Sequence, residues 1–150
     1  SNTHHDTWSE FFVKERLDPQ LQRANLPGPI QDDFHKLYTK LDSFFPAEPP
    51  ALVHGDLWSG NYMIGPGGRA VVIDPAVYYG HREMDLGMTR LFGGFDNAFY
   101  AAYNEAYPLE AGWQNRLDIC NLYPLLVHVN LFGGGYINQV KHILNRFTSV

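Results

Sequence analysis

Between residues 54 and 75 the chain reads His54-Gly55-Asp56-Leu57-Trp58-Ser59-Gly60-Asn61 and then, after an intervening turn, Val71-Val72-Ile73-Asp74-Pro75. Asp56 and Asn61 are five apart in a segment that precedes one apolar run, and Asp74 closes the next, thirteen residues after Asn61. A hairpin whose strands begin after Asn61 and end at Asp74 returns those two side chains to the same end. Asp56 then lies on the loop leading into that end. Three oxygen-bearing side chains in one small volume suit phosphoryl transfer. One carboxylate accepts or orients the proton of an attacking hydroxyl, and hard oxygen ligands hold Mg²⁺ on the phosphates. Asn61 supplies an oxygen without a further negative charge, and Asp74 carries the charge that binds the metal. Asp56, kept off the metal, faces the substrate hydroxyl.

The hairpin is predicted from two short apolar runs, Tyr62-Met63-Ile64 and Ala70-Val71-Val72-Ile73, around Gly65-Pro66-Gly67-Gly68. The glycine-rich turn lacks the GxxxxGK[ST] pattern and a following helix, so it is a hairpin turn rather than a phosphate loop. Elsewhere the period is helical. Trp8, Phe11, Phe12, Leu17 and Leu21 recur at helix spacing, with Asp6, Thr7 or Ser9 as N-cap and a helix boundary expected at Asp18-Pro19. A second amphipathic helix carries Ile30, Phe34, Leu37, Leu41 and Phe44 on one face and ends before Pro46. Further helices are expected at about Glu83–Leu91, Asp96–Tyr107, Trp113–Phe132 and Tyr136–Phe147, with Pro124 kinking or dividing the third. The expected fold class is α+β, mostly helical, with a small β-hairpin carrying the loop of interest.

Composition narrows the function. The 150 residues carry 11 Lys+Arg against 16 Asp+Glu, a net charge of −5, and no basic cluster, which argues against nucleic acid as a partner. No apolar run reaches the ~18 residues of a membrane span. Ser1–Asp6 is not a signal peptide, and Cys120 is the only cysteine, so a reducing cytoplasm is the expected location.

Other polar residues have plainer readings. His54 orients the loop through hydrogen bonds. Trp58 offers an aromatic face or a packing anchor, two readings that stay open. His81, Arg82 and Glu83 are assigned a structural role, and His128 and Asn130 are satisfied polar groups on an apolar helix. Gly133-Gly134-Gly135 is a helix stop, and the aromatic helix at Phe95–Tyr107 is expected in the core.

The order Asp56, Asn61, Asp74 reproduces the protein-kinase sequence of catalytic-loop Asp, Asn and metal-binding Asp. Here His-Gly-Asp stands for His-Arg-Asp, and Asp74-Pro75-Ala76 for Asp-Phe-Gly. HGDLWSGN, then IDPAVYYGHREMDLGMTRLFGG, then LLVHVNLFGGGY closely resembles the fructosamine kinase family, and the stretch from Trp8 to Leu21 is similar to it as well.

That resemblance implies the C-terminal lobe of a protein-kinase-like fold across residues 1–150. It also implies ATP-dependent phosphorylation of a ketosamine at a sugar hydroxyl, on a small sugar-amine or a glycated protein amine. Carried over, Asp56 is the catalytic base, and Asn61 and Asp74 hold Mg²⁺. Trp58 faces the sugar, and Asp85 braces the catalytic loop from the following helix. The N-terminal ATP-binding lobe, with its Gly-rich loop and strand Lys, is not found in the 55 residues before Asp56, so little activity is expected of this chain alone. The competing readings are phosphorylation of an aminoglycoside- or choline-type alcohol, a non-catalytic binding module, and metal-dependent hydrolysis using His54, Asp56, Asp74 and His81. An exposed apolar patch is expected near Pro49-Pro50-Ala51-Leu52.

Overall fold

A computed structural model describes residues 1–149. They divide into two compact units, one of Ser1–Ala47 with the residues from Asn121 on, the other of Glu48–Cys120.

The first unit is helical. Thr7 caps α1 (Trp8–Phe11) by accepting a hydrogen bond from the Glu10 N–H. The chain then runs through a π-helical segment, Phe12–Leu17, directly into α2 (Asp18–Ala24). The boundary expected at Asp18-Pro19 is present as a change of helix type, with helical dihedrals kept across the junction. Pro19 lies in the first turn of α2, where its missing N–H costs nothing, and Asp18 keeps helical dihedrals. Asn25, in the left-handed conformation, ends α2. The second predicted helix is two: α3 (Gly28–Tyr38) and α4 (Leu41–Phe44), with a turn at Thr39-Lys40 closed by Lys40 N–H on the Leu37 carbonyl. The apolar spacing still holds, because Ile30, Phe34, Leu37 and Leu41 are all buried. α3 packs on α8 (Ile137–Thr148), which buries Val140, Ile143 and Leu144.

The second unit contains two separate two-stranded antiparallel sheets. β2 (Tyr62–Ile64) and β3 (Ala70–Val72) form the predicted hairpin, in register Tyr62↔Val72, with Pro66–Gly68 as its tight turn. The other sheet, β1 (Ala51–Val53) with β4 (Tyr78–Gly80), was not expected. It places Leu52 opposite Tyr79, 61% and 66% exposed, so the apolar surface predicted beside Pro50 is present. α5 (Glu83–Leu91) follows β4, and α6 (Asn97–Ala106) is capped by the Asp96 carboxylate on the Phe99 N–H.

Two further expectations are corrected. α6 buries none of its residues. Its aromatics instead pack on one another and on Trp113 of the next helix, with Phe95–Phe99 centroids 4.9 Å apart and Tyr100–Trp113 5.9 Å. Pro124 does not divide α7 (Trp113–Phe132), which is one helix with the proline inside it. Leu122, Leu125 and Leu126 are buried on both sides of the proline, and that packing keeps the helix continuous. Gly133 ends it with a positive φ of 87°. Among the described residues no helix is long and apolar enough to cross a membrane.

Candidate active site

The loop from His54 to Asn61 is fixed by hydrogen bonds that the sequence encodes in three places. The first is the side chain of His54. Its Nδ1 accepts the Asp56 N–H at 3.3 Å, and its Nε2 donates to the Ile73 carbonyl at 2.9 Å, which defines the Nε2–H tautomer. Both ring nitrogens are therefore spent on backbone, as the orienting role requires, and the histidine is not a metal ligand.

The second is Asp85, in the first turn of α5. Its two carboxylate oxygens accept the N–H of His54 at 2.7 Å and of Gly55 at 2.9 Å. Burial pushes this carboxyl up from its ordinary value, while the two backbone N–H groups act in the opposite direction. Gly55 itself is required there. Its φ is +84°, and a Cβ would stand 2.0 Å from the Ala76 carbonyl oxygen.

The third is Asn61, which is buried. Its Nδ2 donates to the Asp56 carbonyl at 2.9 Å and to Asp56 Oδ2 at 3.1 Å. Both partners are acceptors, so the amide nitrogen must face them. The amide oxygen is turned the other way and takes no hydrogen bond from the described residues.

Asp74 is tied to the same loop through its neighbours. Ile73 N–H donates to the Asn61 carbonyl at 2.9 Å, and Ala76 N–H donates to the His54 carbonyl at 2.8 Å. The backbone on both sides of Asp74 is thus bonded to the loop. Asp74 is exposed, at φ +50°, and its carboxylate takes no hydrogen bond from the described residues. Asn61 and Asp74 accordingly offer a neutral and a charged hard oxygen donor. Mg²⁺ takes few protein oxygens and completes its shell with waters and phosphate oxygens, so this donor set fits it. Among the described residues no three His, Cys, Asp or Glu side chains converge as a metal cluster.

Trp58 stands two residues beyond Asp56, 39% exposed, with its N–H on the Asp56 carbonyl at 3.0 Å. Its ring meets Phe92 edge to face, centroids 6.2 Å apart.

The residues from His81 to Glu83 form a buried ion-pair network of their own. Glu83 is fully buried and receives three bonds from Arg116, the shortest 2.7 Å. Arg82 forks onto Glu48 at 2.9 Å through Nε and Nη2, donates to the Tyr107 and Pro108 carbonyls, and stacks over the Tyr107 ring at 3.8 Å. The Arg82 hydrogen bonds hold the Glu48 carboxyl below its usual value. His81 is buried within 3.8 Å of Glu48. The structural role expected for residues 81–83 is correct, while the partners Glu48 and Arg116, 34 and 33 residues distant, left no signal in the sequence. His128 and Asn130 are satisfied as expected, by the Pro124 carbonyl and by Gln20.

Comparison with known proteins places the chain in a family. The family model for fructosamine kinase matches residues 1–149. A probable ketoamine kinase of Lactiplantibacillus plantarum is 46% identical over 146 residues, covering 93% of this chain and 52% of the relative. The chloroplastic protein-ribulosamine 3-kinase of Arabidopsis thaliana is 38% identical, covering 97% of this chain and 46% of the relative. The crystal structure of a candidate fructosamine-3-kinase from Thermobifida fusca superposes with a TM-score of 0.90 at 41% identity, over all of this chain and 54% of that one. The chain spans about half the length of the curated relatives it matches. By sequence and by protein-kinase-like fold, the chain belongs to the fructosamine kinase family.

Proposed function

We propose that this chain is the half of an ATP-dependent ketosamine kinase that holds the acceptor hydroxyl and the metal. The observation that carries this reading is the bond from Asn61 Nδ2 to Asp56 Oδ2. It fixes the carboxylate while leaving Oδ1 without a hydrogen bond from the described residues. Asp56 Oδ1 is then the oxygen that takes the proton of the sugar hydroxyl as the hydroxyl oxygen attacks the γ-phosphorus. The bond to the leaving diphosphate breaks as the new O–P bond forms. Asn61 Oδ1 and Asp74 would hold Mg²⁺, which supplies charge neutralisation on the phosphate oxygens. His54 and Asp85 keep the base in place and take no proton from the substrate.

The acceptor class follows from the relatives, which bear the names ketoamine kinase and protein-ribulosamine 3-kinase. A sugar-amine, free or on a protein, is the matching substrate for this chain. The relatives are about twice as long. We assign the covering of the nucleotide to that further length, the N-terminal lobe, which makes this chain an incomplete catalyst by itself.

The test is a coupled kinase assay with ATP, Mg²⁺ and a fructosylated or ribosylated small amine. It compares this chain alone with a protein in which it is joined to the lobe that completes its relatives' length. The completed protein should phosphorylate the ketosamine, and the chain alone should show no more than trace turnover. Phosphorylation of aminoglycosides or choline in preference to ketosamines would overturn the acceptor assignment. Full turnover by the chain alone would overturn the division of labour.

A further inference from the structure

We infer that Phe92 is a specificity-determining residue. With Trp58 it forms a rigid aromatic wall, beside Asp56, that receives the carbon face of the acceptor sugar. This inference rests on the function proposed above and names a subsite for it.

Four contacts position the wall. The Trp58 N–H is bonded to the Asp56 carbonyl, so the indole leaves the chain directly beyond the base. Its six-membered ring lies over Gly60, where a Cβ would come within 2.3 Å of two ring carbons, and this contact fixes the direction of the ring. Phe92 is brought to the ring by the turn that follows α5. Gly94, at φ +94°, sits so close to Ser59 that a Cβ would be 2.4 Å from the serine Cβ. The next residue, Phe95, packs on Tyr62 with centroids 5.3 Å apart. Ser59 and Tyr62 flank the catalytic loop's short turn and grip residues 94 and 95. Phe92 is thereby set at 75° to the Trp58 plane.

Neither ring is a core residue. Trp58 and Phe92 stay 39% and 45% exposed. Two immobilised, exposed rings beside a base that must face a hydroxyl present π surfaces to the C–H groups of a sugar. They do so at low conformational cost, because each ring has only two side-chain torsions. Neither ring carries a charge, so the wall reads the sugar carbons rather than the phosphates.

The experiment uses the completed, two-lobed protein with ATP–Mg²⁺ and a fructosylated small amine. Phe92→Ala should raise the acceptor KM about tenfold, with kcat changed less than about threefold and the ATP KM unmoved, the pattern of lost acceptor binding. Phe92→Leu keeps an apolar side chain without the ring and should raise the acceptor KM as well. Phe92→Tyr should restore it. Gly94→Ala drives the turn off Ser59 and should raise the acceptor KM with Phe92 still present. Unchanged acceptor KM in both Phe92→Ala and Phe92→Leu, or an equal rise in the ATP KM, overturns the inference while leaving the kinase reading intact. An unsubstituted protein that turns over no ketosamine overturns the kinase reading, and the inference falls with it.

Discussion

The helical unit and the unit around the Asp56 loop bury different polar groups. In the first, Phe12, Leu17, Phe34, Leu37 and Leu41 are wholly buried, and Arg16 and Asn121 are the buried polar residues among those described. In the second, Asn61, His81, Arg82, Glu83, Thr89 and Arg116 are buried, while Met63, Ile64, Val71 and Val72 of the hairpin lie exposed. Both units bury apolar side chains, Leu86, Leu117 and Ile119 among them in the second, but the second adds a larger set of buried, hydrogen-bonded polar groups. Apolar contacts are non-directional and tolerate small shifts. A buried carboxylate held by two N–H groups does not, and a loop proposed to hold a base at Asp56 gains more from this kind of order.

The comparison breaks most sharply at Asp56, the proposed base. In the completed protein, Asp56→Ala should lower kcat by roughly 10³-fold, within the usual range for a lost general base, with the circular-dichroism spectrum unchanged. Loss of the folded spectrum instead would put Asp56 among the structural groups.

The next effect falls on stability. Glu83→Ala leaves the Arg116 guanidinium buried without its carboxylate and should cost about 3–5 kcal/mol. Leu37→Ala in the helical unit should cost about 2–5 kcal/mol through the cavity it leaves. The two differ in how they are repaired. Replacing Glu83 and Arg116 together by Leu and Met should recover most of the loss, because apolar residues of similar volume satisfy a buried site as well as a salt bridge does. Urea denaturation of the single and double variants measures both. A double variant as unstable as Glu83→Ala would show that the pair is needed for more than filling the site.

The smallest effect is a pH dependence in the second unit. Arg82 holds the Glu48 carboxyl below the ordinary value of 4.5. Its stabilising contribution is therefore complete above that pH and is lost as the pH falls through the lowered folded value. Burial raises Asp85 above 3.8, which gives the opposite sign, with stability falling as the pH rises through the window between 3.8 and the raised value. Glu48→Gln should flatten the acid limb of a stability–pH curve, whereas Glu10→Gln, on an exposed helix pair in the other unit, should leave it unchanged.

Much of the site was legible because it is local. Two apolar runs flanking Gly65–Gly68 specify the hairpin, and the hairpin returns Ile73 to Asn61. Asp85 was found through the motif around it. The β1–β4 pairing escaped because each strand has three residues and the partners are 25 or more residues apart, with no turn between them. The Arg116–Glu83 pair escaped for the same reason, since a lone Arg and a lone Glu give no periodic signal. The error on α6 has a different cause. Its aromatic composition suggested a core helix, but Phe95, Phe99 and Tyr100 pack on one another, on Tyr62 and on Trp113 without being buried. Composition records what could be buried, and only the available facing surface decides what is.

The left-handed backbone at Asp74 carries a consequence of its own. A side chain branched at Cβ cannot adopt that conformation without strain, whereas aspartate, asparagine and glycine adopt it readily. The position therefore has an alphabet of about three letters, of which one bears a formal charge. An asparagine there would silence the electrostatics while sparing the chain path, and a glycine would delete the donor and relax the path together. Shape and charge, inseparable at most positions, can be dialled apart at this one by a single codon.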